Sequence, residues 1–456
     1  MSMGLAGQYV SDLAGNDYID PELYDRFNVK RGLRNADGTG VLVGLTRIGE
    51  VHGYMISEGE KVSVPGRLYY RGIDVEDLVR GAEQENRFGF EETVYLLLFG
   101  YLPDKAELAR FNTLMGNKRV LPANFAEDSI MKAPSQDIMN KLARSVLTLY
   151  SYDDDPENRS PENVLRQCIE LIARFPTIVA YSYMAKKHYY DHESLIIHLP
   201  ASSCQSAETL LSLIRPDQHY SRLEAELLDL ALILHAEHGG GNNSTFAVHL
   251  VSSADTDTYS AVSAGIGSLK GFKHGGANIK VMGMMDDIMK NIKRWDDEEE
   301  VLAYLVKILR GEAYDRTGLL YGQGHAVYTK SDPRAILIKA KADLLAAQKN
   351  FSDEFKLYKL VEKLTPAAFT AVKGYSKDIC ANVDFYSGFV YKMLGIPQEL
   401  YTPLFAISRV AGWCAHRLEE IVSGGRIIRP AYKCVQQRME YLPLEKRSAA
   451  KAESER

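Results

Sequence analysis

LHAEHGGGNNSTFAVHLVSSADTDTYSAVSAGIGSLKGFKHGGAN, residues Leu234 to Asn278, sets His235, His238 and His274 beside two glycine-rich breaks in helical sequence. Upstream of it, LLDLALILHAEH repeats apolar residues at helical spacing from about Leu227, and Gly239, Gly240 and Gly241 should stop that helix. His238 is therefore expected at a helix end. Downstream, YSAVSAGIGSLKGFKHGGAN reads as a small-residue helix that breaks at Gly271 and delivers His274 just before Gly275 and Gly276. A backbone without side chains can approach a ligand closely there.

The same three- and four-residue spacing recurs outward in both directions. VEDLVRGAE, FEETVYLLLFG, KAELARFNTLM, ENVLRQCIELIARFPTIVAYSYMAKK and SAETLLSLI all read as helix. Only Val41 to Tyr70 alternates β-branched and polar residues with glycines between, which predicts a short β region. The fold class is mainly α. Between Lys280 and about Asn382 the helices become charged on their outer faces, as suits a smaller, more mobile helical domain. The expected organisation is an N-terminal segment over 1–40 and a large helical domain over 41–279. A small domain over 280–388, a return to the large domain over 389–442 and a disordered tail over 443–456 complete it.

Composition bounds the function. A chain of 456 residues that is 46% hydrophobic and 25% charged is ordinary for a globular protein with a sizeable core. A net charge of −6 argues against nucleic acid as a partner. Cys168, Cys204, Cys380, Cys414 and Cys434 form no C-x-x-C pair, so neither a disulfide framework nor a zinc knuckle is indicated. No apolar run approaches the roughly 20 residues that span a bilayer. With an acidic N-terminus unlike a signal or transit peptide, the chain is expected to be cytoplasmic.

Several groups could carry chemistry. His235 and His238 lack the H-E-x-x-H order of zinc peptidases, so a metal is disfavoured and His235 reads as structural. A helix beginning at Gly275 would aim its positive end at His274 and keep the ring neutral, able to donate to an enolate oxygen. In YGQGHAVYTKSDPRA, His325 and Arg334 suit a carbonyl and an anion, although Asp332-Pro333 could equally start a turn and leave Arg334 solvated. Asp384 could be a carboxylate base, or simply a helix N-cap. Arg409 shares a helix face with Phe405, Trp413 and His416, and a guanidinium there must find an anion or water. Arg429, ahead of Pro430, is unremarkable by itself.

HAEHGGGNNS, GFKHGGAN, GQGHAVYTKSDPRA, NVDFYSG, ISRVAGW and IIRP, in that order and spacing, resemble the citrate synthases, as do GRLYYRGIDVEDL and FEETVYLLLFGYLP further upstream. The resemblance implies a two-domain, mostly helical homodimer whose small domain closes over substrate. It implies condensation of acetyl-CoA with oxaloacetate and hydrolysis of citryl-CoA, with 2-methylcitrate synthase, using propionyl-CoA, as the alternative. A citryl-CoA lyase and a non-catalytic binding relative are remoter readings. Carried over residue by residue, His274, His325 and Asp384 would be catalytic. His238, Arg334 and Arg409 would bind oxaloacetate, joined by Arg429 from the other subunit. Gly322, Gln323, Gly324, Ala326 and Asn382 would line the CoA site, with Lys377 near a phosphate. No metal or redox cofactor is implied; acetyl-CoA enters as substrate. The chain departs from many members at Gly239, Phe272, Lys273 and His249.

Overall fold

The computed structural model describes residues 17–35, 37–58, 60–374 and 378–447. Helix α1 (Glu22–Arg26) belongs to an exposed N-terminal segment, in which an Arg34–Gly40 bridge closes the expected turn. Strands β1 (Gly49–Ser57), β2 (Glu60–Tyr70) and β3 (Ile73–Asp74) form one antiparallel sheet in that order, pairing Gly49 with Tyr70 and Tyr69 with Asp74. This is the β region expected from the alternation over 41–70.

The remainder is helical. Helices α2 (Val75–Gln84), α3 (Phe90–Phe99), α4 (Lys105–Lys118) and α5 (Ile138–Leu149) lead to the long α6 (Pro161–Asp191), which runs through Pro176 without ending. There follow α7 (Ser206–Ile214), α8 (Arg222–His235), α9 (Asn243–Ser252) and α10 (Thr258–Leu269). Next come α11 (Ala277–Asn291), α12 (Glu298–Leu309), α13 (Pro333–Gln348), α14 (Ser352–Lys373), α15 (Val383–Met393) and α16 (Tyr401–Ser423).

Packing follows the apolar faces. Helix α16 is buried along most of its length and lies against α6, α8, α9 and α10. Helix α12 packs on α14, and α15 holds α11 and α13 together. Helix α13 also touches α8, so the charged helices meet the rest of the protein where the histidines lie. The hairpin also supports the loop that follows His325. A Cβ at Gly66 would stand 2.2 Å from the Ser331 carbonyl oxygen, so only glycine lets β2 lie flat against that loop. Gly66 N–H donates to Ser331 Oγ at 3.1 Å and fixes the contact.

One boundary differs from expectation. Helix α8 ends at His235, three residues before His238 and ahead of the glycines. Its last carbonyls are taken by tertiary partners: Tyr70 hydroxyl donates to Ile233 O at 2.9 Å and Arg409 Nε to His235 O at 2.6 Å. Side chains remote in sequence thus cap the helix. His238 stands beyond the helix, in the loop that follows it.

Candidate active site

The residues singled out from the sequence come mostly to one place, where α8, α11, α13, α15 and α16 meet. His274 occupies the tight turn between α10 and α11, its backbone N–H donating to Gly271 O at 2.9 Å. Gly275 is obligatory there, because a Cβ would lie 2.2 Å from Leu269 O. The ring's Nε2 is 3.0 Å from Ser244 Oγ, and Trp413 Nε1–H donates to the same oxygen at 3.1 Å. Burial, reinforced by the Arg409 charge, lowers the His274 pKa to about 4. The imidazole is neutral at pH 7.

His325 is held by its own loop. Val327 and Tyr328 N–H both donate to Nδ1 at 3.1 Å, so the ring proton resides on Nε2. The ring stacks on Tyr328 with centroids 4.7 Å apart and meets His238 edge-on at 5.2 Å. Burial and then the Arg334 charge bring the His325 pKa to about 4. The same causes hold His238 well below its usual value, and its buried Nε2 has no protein partner. His235 is buried edge-on to Phe405 and serves packing, as expected.

The two arginines differ. Arg334 is not a solvated first-turn residue: it is buried, and forks onto Asp332 through Nε at 3.0 Å and Nη2 at 2.8 Å. Burial opposes its charge, but Asp332 more than offsets that and raises its pKa. Arg409 is fully buried over the Phe405 ring at 4.7 Å. Its Nε is satisfied by His235 O, yet its Nη1 has no hydrogen-bond partner. Burial lowers its pKa to about 10, against the pull of Glu237, so it remains charged at neutral pH. A buried guanidinium with an open donor favours an anionic guest.

Asp384 is not the N-cap. Asn382 caps α15, accepting Asp384 N–H on Oδ1 at 3.0 Å, and no side-chain hydrogen bond holds the Asp384 carboxylate among the described residues. Burial raises the Asp384 pKa to about 6, with the Arg334 charge acting against it.

The expected CoA contacts divide. Gln323 and Gly324, with His325, Phe369 and Lys373, line a cleft of about 330 Å³. Gly322 is buried and Asn382 ties the two loops together, donating its N–H to Gly322 O and its Nδ2 to Gly324 O, both at 2.9 Å. Ala326 is exposed. Lys377 lies outside the described residues. Arg429 is exposed in the extended chain beyond α16 and is not brought into this site.

Sequence reasoning missed Ser244, and named Trp413 only as a neighbour of Arg409 and Asp332 only as a turn start. The Asp332-Pro333-Arg334 spacing at a helix start was a usable signal. Nothing local links Ser244 to Trp413, which meet only through packing of α9 on α16.

The chain is similar to known proteins along nearly its whole length. Residues 36–431 match the family model described as the citrate synthase C-terminal domain. The chain is 33% identical over 424 residues to a citrate synthase of Haloferax volcanii, covering 92% of this chain and 99% of that one. It is 34% identical over 364 residues to a 2-methylcitrate synthase of Shewanella oneidensis, covering 80% and 87%. The crystal structure of citrate synthase from Pyrobaculum aerophilum superposes with a TM-score of 0.73 at 30% identity, covering 89% of this chain and 94% of that one. A mainly helical scaffold that gathers neutral histidines, buried arginines and a perturbed carboxylate, matched along nearly its whole length by such relatives, belongs to the citrate synthase family of condensing enzymes.

Proposed function

We propose that the site joins the methyl carbon of acetyl-CoA to the carbonyl carbon of oxaloacetate and hydrolyses the resulting citryl-CoA to citrate and CoA. The observation that carries this reading is Arg409, a fully buried guanidinium whose Nη1 is open to an anion among neutral histidines.

Oxaloacetate binds first, its carboxylates on Arg334 and Arg409 and its carbonyl oxygen toward the His325 Nε2–H, with His238 helping to hold it. Asp384 then removes a methyl proton from the thioester. A carbon acid gives up that proton only if the enolate oxygen is stabilised as it forms. His274 donates to that oxygen through Nδ1–H, a tautomer that requires the Ser244 hydroxyl hydrogen to turn from Asn242 Oδ1, at 2.9 Å, to His274 Nε2, at 3.0 Å. The enolate carbon attacks the oxaloacetate carbonyl, and His325 protonates the new alkoxide. CoA lies along the cleft of Gln323 and Gly324. Residues 280–388 close on the remainder and exclude water until citryl-CoA has formed. No cofactor takes part.

The Shewanella relative keeps 2-methylcitrate synthesis open as a second reading. One methylene changes discrimination by only about 1–3 kcal/mol, so pocket shape decides the acyl group. CoA release measured with oxaloacetate and either acetyl-CoA or propionyl-CoA separates the two. Higher kcat/KM for acetyl-CoA is expected; a propionyl preference selects the second reading, and no turnover with either sinks both.

We infer a homodimer in which Arg429, exposed in the single chain, completes the partner's site. Arg429→Ala and Asp384→Ala chains should each be impaired alone. Co-expressed, they should recover roughly a quarter of wild-type activity, because half the dimers carry one intact shared site. No recovery would mean that each subunit works alone.

A further inference from the structure

His249, His416 and Glu419 stand outside the chemistry assigned above. His249 projects from α9, and His416 and Glu419 lie one turn apart on α16, against which α9 packs. One candidate ligand atom from each comes within 4.8 Å of the other two.

Their hydrogen bonding leaves donors turned inward. His416 is fully buried, and its Nε2 lies 3.0 Å from Glu237 Oε1. Its Nδ1 has no hydrogen-bond partner and faces Glu419 Oε2 at 3.7 Å. Glu419 Oε1 accepts the Arg47 backbone N–H at 2.7 Å, while its Oε2 is buried and unpartnered. His249 Nδ1 faces Glu420 Oε2 at 3.1 Å, and the two imidazole centroids are 5.6 Å apart. Three carboxylates therefore surround two imidazoles.

We propose that His249, His416 and Glu419 bind one divalent ion of the zinc class, with water as the fourth ligand. Two imidazoles and one carboxylate suit zinc, whereas calcium and magnesium require more oxygen ligands. Tetrahedral zinc needs its ligand atoms about 3.3 Å apart, which modest side-chain rotations from the present spacing supply. Glu237 holds the outer nitrogen of His416, as carboxylates commonly do for metal-bound histidine. The approach from solvent is a surface groove of about 470 Å³ lined by Glu419, Thr46, Arg47 and Arg71, from which the buried Glu419 Oε2 is reached by a turn of that side chain. The site departs from the metal-free expectation because its donors lie far apart in sequence and no ligand motif announces them. Through Glu237 the ion would fix a carboxylate whose charge acts on Arg409.

The test uses the full chain, stripped with a chelator and titrated with Zn²⁺ by equilibrium dialysis, with Co²⁺ as a spectroscopic probe. One ion per chain, the visible absorption of four-coordinate cobalt and a Tm rise of about 3 °C at saturating zinc are expected. His249→Gln and Glu419→Gln should each weaken binding by at least about 100-fold while retaining condensing activity. Circular dichroism identifies a variant that fails to fold, and the other then carries the comparison. Sub-stoichiometric uptake by the wild type overturns the site. So does unchanged affinity in a folded variant, which would place the ion elsewhere, as at His238 and His325 or the exposed Cys434.

Discussion

Replacing Asp384 by alanine should lower turnover by about 10²- to 10⁴-fold while oxaloacetate still binds. The other described carboxylates of the site are engaged elsewhere: Asp332 is forked onto Arg334, and Glu237 is held through Oε1 by His416 and Gly239, its Oε2 being buried. The pH profile supplies an independent reading of the same group. Burial raises its pKa to about 6, so the proton is retained to higher pH than in a solvated aspartate and the basic form is lost as pH falls through 6. At pH 7 it is roughly nine-tenths ionised. The kcat/KM for acetyl-CoA should therefore rise with pH through about 6 and then level, and that limb should vanish in Asp384→Ala. Steady-state kinetics from pH 5 to 8 check both; an alanine variant with undiminished turnover removes Asp384 from the mechanism.

Arg409→Leu should reduce kcat/KM for oxaloacetate by about 10²- to 10³-fold, chiefly through KM, because the proposed desolvated carboxylate contact at Nη1 would be lost. The KM for acetyl-CoA should change far less. A second measurement separates binding from damage to the fold. Oxaloacetate should raise the Tm of the wild type by mass action and leave that of a folded Arg409→Leu variant unmoved. Equal stabilisation of both proteins would show that the substrate carboxylate rests on another group. The guanidinium has a cost in the free protein, since it is buried and incompletely paired, so the leucine variant should not be grossly unstable.

The fold class, the short β region and the helical segments were legible because each depends on local periodicity and on turn residues. The glycine breaks around His274 were legible for the same reason. The motifs spread over the chain also carried the family, since such a set in one order is rarely accidental. What each group does with its hydrogen bonds was not legible. Asp384 has a free carboxylate because Asn382 takes the cap, and Arg334 is buried because Asp332 forks onto it.

Helix α8 stops early because Tyr70 and Arg409, remote in sequence, claim its last carbonyls. His274 is paired to Ser244, to which Trp413 also donates, only because α9 and α10 pack on α16, and the inward-facing His249, His416 and Glu419 meet through the same packing. Sequence by itself determined which elements form and which titratable groups stand beside their breaks, since propensity and spacing act over a few residues. Tertiary structure alone decided charge, tautomer and pairing, because these depend on desolvation and on partners that only the packed helices bring within hydrogen-bonding distance.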